Sequence, residues 1–145
     1  MEEHVYIIRS QQPEYLEVLQ LRHEVLRAPL GLNLYQEDLS SEIDTQIFIY
    51  KENQKVIACL LALPVEVDTI RLKQMAVAPE YRGKGIGHKL LQAVEAYAMK
   101  KDFSLITFHA RCSAIPFYEK MGYQTKSPIF EEVGLPHQIM EKNIQ

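Results

Sequence analysis

A chain of 145 residues with 47% hydrophobic content is large enough to fold as a single domain, residues 1–145, around its own core. Sixteen Lys and Arg against nineteen Asp and Glu give a net charge of −3, which argues against a nucleic-acid partner. Two cysteines, Cys59 and Cys112, are too few for a disulfide scaffold and favour a reducing, cytoplasmic location. Residues 1–4 are acidic where a signal peptide would be basic, and the longest apolar stretch, 56–65, is about half as long as a membrane helix. We therefore expect no membrane partner.

The first half of the chain predicts strands around one amphipathic helix. A short strand at residues 4–9 precedes Pro13, which opens a helix because the first turn has no use for the N–H that proline lacks. The buried positions of this helix recur three and four residues apart, at Tyr15, Val18, Leu19, Arg22, Val25 and Leu26. Gly31 follows its end, and residues 32–44 are acidic and fit either a loop or a short helix. Three strands come next, at residues 45–51, 55–64 and 69–78, the first two joined as a hairpin.

The third of these strands shows a shift in its alternation. Apolar side chains alternate at Ile70 and Leu72 and resume at Met75 and Val77, so one interval is three residues instead of two. One extra residue near 73–74 restores the phase, which predicts a β-bulge, a feature common beside active sites. The alternative is a regular strand that a polar residue merely interrupts.

The second half of the chain predicts helices that alternate with strands. A long helix covers about residues 86–101, and an apolar strand follows at 103–110. A short helix at 113–120 can hold Pro116 only in its first turn. The last two strands lie at residues 123–126 and 138–142. This order of elements is typical of an α/β fold with a mixed sheet.

A glycine-rich turn, Arg82-Gly83-Lys84-Gly85-Ile86-Gly87, joins the third strand to the long helix. Glycines let successive N–H groups converge, and the helix N-terminus adds a partial positive charge, so the turn predicts a site for a phosphate or pyrophosphate. The alternative is a plain turn with two solvated cations. The turn lacks the Gly-Lys-Ser/Thr of a nucleotide-hydrolysing loop, and His88 and Leu90 stand where a dinucleotide-binding motif needs its third glycine.

The spacing Arg82-x-x-Gly85-x-Gly87 resembles the acyl-CoA signature of the GNAT superfamily of N-acetyltransferases. Residues 72–79 resemble the central strand of that family, bulge included, and residues 114–123 resemble its second motif, A-x-x-F-Y-x-K-x-G-F/Y. The resemblance runs from about residue 5 to 143. It implies a single-domain α/β fold whose mixed, mostly antiparallel sheet of about six or seven strands is splayed at the bulge and flanked by about four helices.

The resemblance also implies acetyl-CoA as cosubstrate, with no metal. Its pyrophosphate would bind the N–H groups of residues 82–88, and its pantetheine arm would pair with the free backbone of residues 75–77. The implied cofactor-binding residues are Met75, Ala76, Val77, Arg82, Gly83, Lys84, Gly85, Ile86, Gly87, His88 and Tyr118.

Direct attack by an acceptor amine is the implied reaction, with Tyr118 as the general acid for the leaving thiolate. A half-buried core tyrosine is the alternative for this residue. Many family members place a glutamate base on the central strand, and this chain has none there. His109, His137 or a water relay are the candidates for the base, and a structural role for His109 is equally compatible with its position.

The acceptor is a small-molecule or peptide amine on this resemblance, and a homodimer stays open. The segments that build acceptor sites in the family, here 31–44 and 127–137, are acidic and would attract a cationic amine, unless they only form a solvated face. Their acids are Glu37, Asp38, Glu42, Asp44, Glu131 and Glu132. Arg111 replaces an asparagine that contacts the cofactor in many members, and Cys112 is taken as incidental. The rival function is an acyl-CoA-binding sensor without catalysis.

Overall fold

The computed structural model describes residues 4–145, and one mixed sheet runs through them. The sheet has eight strands: seven follow the order β1-β2-β3-β4-β5-β8-β6, and β7 pairs with β8 beside this path. The strands are β1 Val5–Ile8, β2 Gln46–Glu52, β3 Lys55–Glu66, β4 Thr69–Val77, β5 Leu105–Arg111, β6 Gln124–Thr125, β7 Phe130–Glu132 and β8 Leu135–Asn143. The α-helices are α1 Tyr15–Arg22, α2 Ile86–Lys100 and α3 Ile115–Lys120. Within this part of the chain only the β4–β5 pairing is parallel.

The predicted α/β fold is confirmed, with small differences in the number of elements. The predicted first helix begins as α1 but continues as a π-helix, His23–Arg27, before a 3₁₀ turn and Gly31. The predicted fourth helix is absent from residues 32–44, which hold two 3₁₀ segments, Leu34–Gln36 and Ser40–Asp44. The additional strand is β7, in a segment that we expected to be a loop.

Two helices cover opposite faces of the sheet. Because successive strand residues point to opposite faces, β2 sends Phe48 and Tyr50 towards α2 and Ile47 and Ile49 towards α1. The predicted β2–β3 hairpin is confirmed, and its two-residue turn, 53–54, has both φ angles positive (51° and 64°), as a tight hairpin turn requires. Strands β2 to β4 thus lie between α1 on one face and α2 on the other.

The predicted β-bulge is confirmed in β4. Lys73 pairs with Leu61 of β3 and Ala76 pairs with Cys59, so three steps along β4 match two along β3. Gln74 takes up the extra residue with a left-handed φ of 59°. The bulge returns Met75 to the sheet face that Leu72 occupies, against the α2-side core.

The two parallel strands separate at the bulge. β4 and β5 are paired from Thr69–Leu105 to Leu72–Phe108, and the pairing ends there. From residue 73 onward, the β5-facing edge of β4 therefore has no strand partner among the described residues. This opening in the middle of the sheet is where a ligand can approach the backbone.

Two observations concern the predicted location of the protein. In the part of the chain that the structure covers, the helices are too short or too polar to cross a membrane. The prediction of no signal peptide rests partly on residues 1–3, which lie outside the described residues.

Candidate functional site

A cavity of about 580 Å³ lies where β4 and β5 separate. One end is formed by the glycine-rich turn and the start of α2, and the other by residues 25–27, 109–111 and the β7–β8 hairpin. The cavity brings together most of the predicted site residues: Met75, Ala76, Val77, Arg82, Gly83, Gly85, Ile86, Gly87, His88, His109 and Tyr118. Lys84 is the exception, because its ammonium lies over the ring of Tyr81, 5.4 Å from the centroid, and not in the cavity wall.

The glycine-rich turn leaves backbone donors free at the start of α2. Gly83 and Gly85 have left-handed φ angles of 76° and 77°, which side chains other than glycine rarely adopt. Gly85 is the N-cap and offers no side-chain acceptor, and the first helical bond runs from the N–H of Lys89 to the Gly85 carbonyl at 3.0 Å. The N–H groups of residues 86–88 therefore lack helical acceptors and can bind an anion.

Gly87 is the glycine of this turn at which an added side chain would contact other residues. A Cβ built there would lie 3.4 Å from Met75 Sδ and 3.6 Å from Phe117 Cζ. The protein alone can accommodate one methyl group at that distance, but the methyl would occupy space beside the free N–H groups.

Tyr118, on α3, carries its hydroxyl into the cavity. Its ring packs against Phe108 (centroids 4.5 Å apart) and Phe117 (5.1 Å). The hydroxyl makes one weak contact, to Met75 Sδ at 3.9 Å, so its proton is available to a ligand. Burial raises the pKa of Tyr118 to about 12, so the hydroxyl is protonated at neutral pH as an ordinary tyrosine is.

His109, on β5, is hydrogen-bonded to Glu132, a contact that the sequence did not predict. Its Nδ1 lies 2.8 Å from Glu132 Oε1 on β7, and since a carboxylate only accepts hydrogen bonds, Nδ1 carries the proton and donates it. In the neutral imidazole, Nε2 therefore keeps its lone pair. Nη2 of Arg71 lies 3.3 Å and 3.5 Å from the two ring nitrogens, and because Nδ1 is protonated, only Nε2 can accept from it, through the long 3.5 Å contact.

Glu132 also faces the second candidate histidine. Its Oε2 lies 3.7 Å from Nε2 of His137, whose Nδ1–H donates to the Leu135 carbonyl at 2.9 Å. Burial alone would raise the pKa of Glu132, but the hydrogen bond from His109 and the nearby positive charges outweigh it and lower that pKa. His137 is only 3% exposed and lies deeper than His109. A tight turn at residues 133–134, where both φ angles are positive, joins β7 to β8 and brings Glu132 to this place.

A buried ion pair supports the bulge from the α1 side. Arg22, 1% exposed, donates from both terminal nitrogens to Glu42 at 2.8 Å each and from Nε to Gln74 Oε1 at 3.3 Å. Tyr15 adds a hydrogen bond to the same carboxylate at 2.6 Å. The Cys59 thiol, buried beneath, donates to the Gln74 carbonyl at 3.5 Å. The strained bulge residue is thus fixed through both its side chain and its backbone.

Three of the acids expected to attract a cationic acceptor are engaged within the chain. Glu42 is bound by Arg22, Glu132 by His109, and Glu37 by Arg27, whose Nε lies 2.7 Å from the carboxylate. Glu42 and Glu37 therefore balance internal charges and Glu132 orients an imidazole, so these three acids do not present a free acidic surface.

Comparison with known proteins agrees with this geometry. The Acetyltransferase (GNAT) domain family matches residues 17–144. The chain belongs to the GNAT acetyltransferase family. It is 29% identical over 133 residues to YyaT of Bacillus subtilis, covering 84% of this chain and 88% of that one.

Solved GNAT-fold structures match the whole architecture. A Lactobacillus plantarum protein superposes with a TM-score of 0.85 at 26% identity, covering 99% of this chain and 100% of its own. A GNAT acetyltransferase from Elizabethkingia anophelis, solved with acetyl-CoA bound, gives 0.72 at 17% identity, covering 98% of this chain and 99% of its own, and shows the shared fold. Membership of the family supports acyl transfer as the activity, and the family uses acetyl-CoA. In residues 4–145, no group of three or more His, Cys, Asp or Glu is arranged to hold a metal ion.

Proposed function

We propose that this GNAT protein transfers an acetyl group from acetyl-CoA to a primary amine, both bound at once in the cavity. The observation that carries the proposal is the continuity of that cavity, which connects the free N–H groups of α2 to Tyr118 and His109 through the gap between β4 and β5.

The residues present fit acetyl-CoA. The N–H groups of residues 86–88 and the guanidinium of Arg82 would hold the pyrophosphate, and Gly87 leaves the backbone accessible. The unpaired edge of β4 at residues 75–77 would hydrogen-bond the pantetheine amides, as a neighbouring strand would. Acetyl-CoA supplies an acyl group activated as a thioester, and an N–H of this edge would stabilise negative charge on the acyl oxygen.

Tyr118 is proposed as the general acid. Its hydroxyl is protonated at neutral pH, as burial raises its pKa further above 7, to about 12, and its weak contact with Met75 competes little with a departing thiolate. The position of the hydroxyl in the cavity is thus what makes its proton available to the thiolate.

His109 is proposed as the general base. Its Nδ1–H is bound by Glu132, which fixes the tautomer and leaves Nε2 as acceptor, in the way a carboxylate orients a catalytic histidine. His137 is the weaker candidate, because its Nδ1–H is bound by the Leu135 carbonyl and its ring is nearly inaccessible. In this arrangement Glu132 compensates for the absence of a glutamate on β4.

The direct test is thiol release from acetyl-CoA across a panel of primary amines. We expect amine-dependent release that saturates with acetyl-CoA, about 10²–10⁴-fold slower in His109→Gln and close to wild type in His137→Gln. The reverse order of the two variants would assign the base to His137. Tight binding of acetyl-CoA with no release for any amine would favour the sensor alternative, for which the absence of a glutamate on β4 is the supporting observation.

A further inference from the structure

The part of the cavity around residues 25–27 and 109–111 contains two arginines. Arg27 and Arg111 both line it, and the first is neutralised by Glu37. Arg111 has no such partner: its Nη2 lies 3.4 Å from the Leu26 carbonyl, and no carboxylate of residues 4–145 lies within ion-pair distance of it. Burial and the positive charge of Arg27 lower the pKa of Arg111. The cavity therefore contains a partly desolvated guanidinium without a counter-ion.

Two further cations without carboxylate partners lie on the same sheet face. Arg71 and Lys73 of β4 alternate with residues that enter the α2-side core, so they point to the opposite face with His109. Nε of Arg71 is buried and lacks a hydrogen-bond partner. No carboxylate of the described residues lies within ion-pair distance of Lys73, whose pKa is lowered by burial and by Arg71. The carboxylate of Glu132, 2.8 Å from His109, lies among these cations.

Two acidic groups lie on this face, and neither is paired with Arg111. Glu132 accepts the hydrogen bond of His109, and Glu141 of β8 accepts one from Thr107 at 3.4 Å. Their charges offset those of Arg71 and Lys73, whereas the guanidinium of Arg111 has no carboxylate within ion-pair distance among the described residues. Since Arg111 is two residues beyond His109 on β5, the two side chains start about 7 Å apart.

We infer that the acceptor is an amine that also carries an oxyanion, a carboxylate or a phosphate, and that Arg111 binds this oxyanion while the amine faces His109. The position of the amine rests on the proposed function, whereas the anion site follows from the unpaired guanidinium of Arg111 in the cavity. A guanidinium matches either oxyanion through two parallel hydrogen bonds. The same uncompensated guanidinium would repel a polycationic acceptor.

The anion site can be tested without turnover. The protein is first saturated with desulfo-CoA, which fills the pyrophosphate site, and is then titrated with inorganic phosphate or acetate in a calorimeter. We expect saturable binding of at least one anion, about tenfold or more weaker in Arg111→Gln and partly restored in Arg111→Lys. Exposed Lys126→Gln is the control for net charge and should bind as the wild type does. Equal binding by wild type and Arg111→Gln, or no binding of either anion, would overturn the inference.

Paired amines test the substrate class. β-Alanine is compared with propylamine, phosphoethanolamine with ethanolamine, and spermidine serves as the polycation, all by thiol release. The anionic member of a pair should have the higher kcat/KM by about tenfold or more, and the faster of the two anionic amines identifies carboxylate or phosphate. A preference for propylamine, ethanolamine or spermidine would contradict the inference.

The Arg111→Gln variant separates acceptor binding from cofactor binding. It should raise the KM of the anionic amine and leave the KM of acetyl-CoA unchanged. A change confined to acetyl-CoA would make Arg111 a cofactor ligand and overturn the inference. If phosphate or acetate binds through Arg111 but no amine reacts, the proposed function fails while the anion site stands.

Discussion

Replacing Tyr118 with phenylalanine removes one hydroxyl and keeps the ring that packs on Phe108. Because that hydroxyl contacts only Met75 Sδ at 3.9 Å, its loss should change the free energy of unfolding by no more than about 0.5 kcal/mol. If the hydroxyl protonates the departing thiolate, kcat should fall about 10²–10⁴-fold. The KM for acetyl-CoA should change little, since the lost interaction forms mainly as the C–S bond breaks.

Tyr123→Phe is the matched control. The hydroxyl of Tyr123, a residue 2% exposed, donates to Glu95 at 2.7 Å, and Lys142 lies 3.2 Å from the same carboxylate oxygen. Removing this hydroxyl leaves a half-buried carboxylate with one donor fewer, which should cost about 1–3 kcal/mol of stability. Both variants delete a phenolic hydroxyl, and we expect Tyr118→Phe to lower the rate and Tyr123→Phe to lower the free energy of unfolding.

Single-turnover thiol release at saturating acetyl-CoA, with the fastest amine of the panel, measures the chemical step, and scanning calorimetry measures Tm. We expect Tyr118→Phe to be slow with an unchanged Tm and Tyr123→Phe to react at nearly the wild-type rate with a lower Tm. A Tyr118→Phe variant with wild-type kcat would remove Tyr118 from the mechanism. Equal losses of rate and Tm in both variants would make the effect structural.

Three further predictions concern the turn and the buried ion pair. Gly87→Val should raise the calorimetric Kd for acetyl-CoA, because its side chain enters the space beside the free N–H groups, while Tm stays within a few degrees; an unchanged Kd in the folded variant would contradict the phosphate site. Arg22→Met leaves the partly buried Glu42 without its charge partner and with only the hydrogen bond from Tyr15, so chemical denaturation should show a loss of up to about 3–5 kcal/mol, and a loss below about 1 kcal/mol would contradict a stabilising role for the pair. Burial alone would raise the pKa of Glu42, but Arg22 and Tyr15 hold it below its ordinary 4.5. The stability that ionised Glu42 contributes is therefore complete above pH 4.5 and is lost as the pH falls through the lower pKa of the folded state. Between pH 6 and pH 3, Tm should fall more steeply in the wild type than in Glu42→Gln, and parallel curves would refute this.

The sequence predicted those parts of the site that depend on local patterns. The bulge follows from a shift of phase within β4, and the glycine-rich turn and the position of Tyr118 follow from motifs of ten residues or fewer. Each of these features depends on neighbours along the chain, so its signal survives in a single sequence.

The contacts that complete the site join distant parts of the chain and left no such signal. His109 meets Glu132 only because β8 pairs with both β5 and β7, and a three-residue strand such as β7 is too short to show alternation. The pairing of Arg22 with Glu42 likewise depends on how residues 32–44 fold back on α1, which their acidic composition did not reveal. For that reason the acidic segments allowed two interpretations, an attraction for a cationic amine or a solvated face, whereas the structure uses three of their acids internally.

The most direct test of the whole account is a titration of the purified protein with acetyl-CoA, desulfo-CoA, NAD and ATP, followed by calorimetry and by Tm. We predict that acetyl-CoA and desulfo-CoA bind saturably and raise Tm, since a ligand that binds only the folded state stabilises it, and that both effects weaken in Gly87→Val. A rise in Tm with NAD or ATP and none with acetyl-CoA would contradict the assignment of the cavity to acyl-CoA.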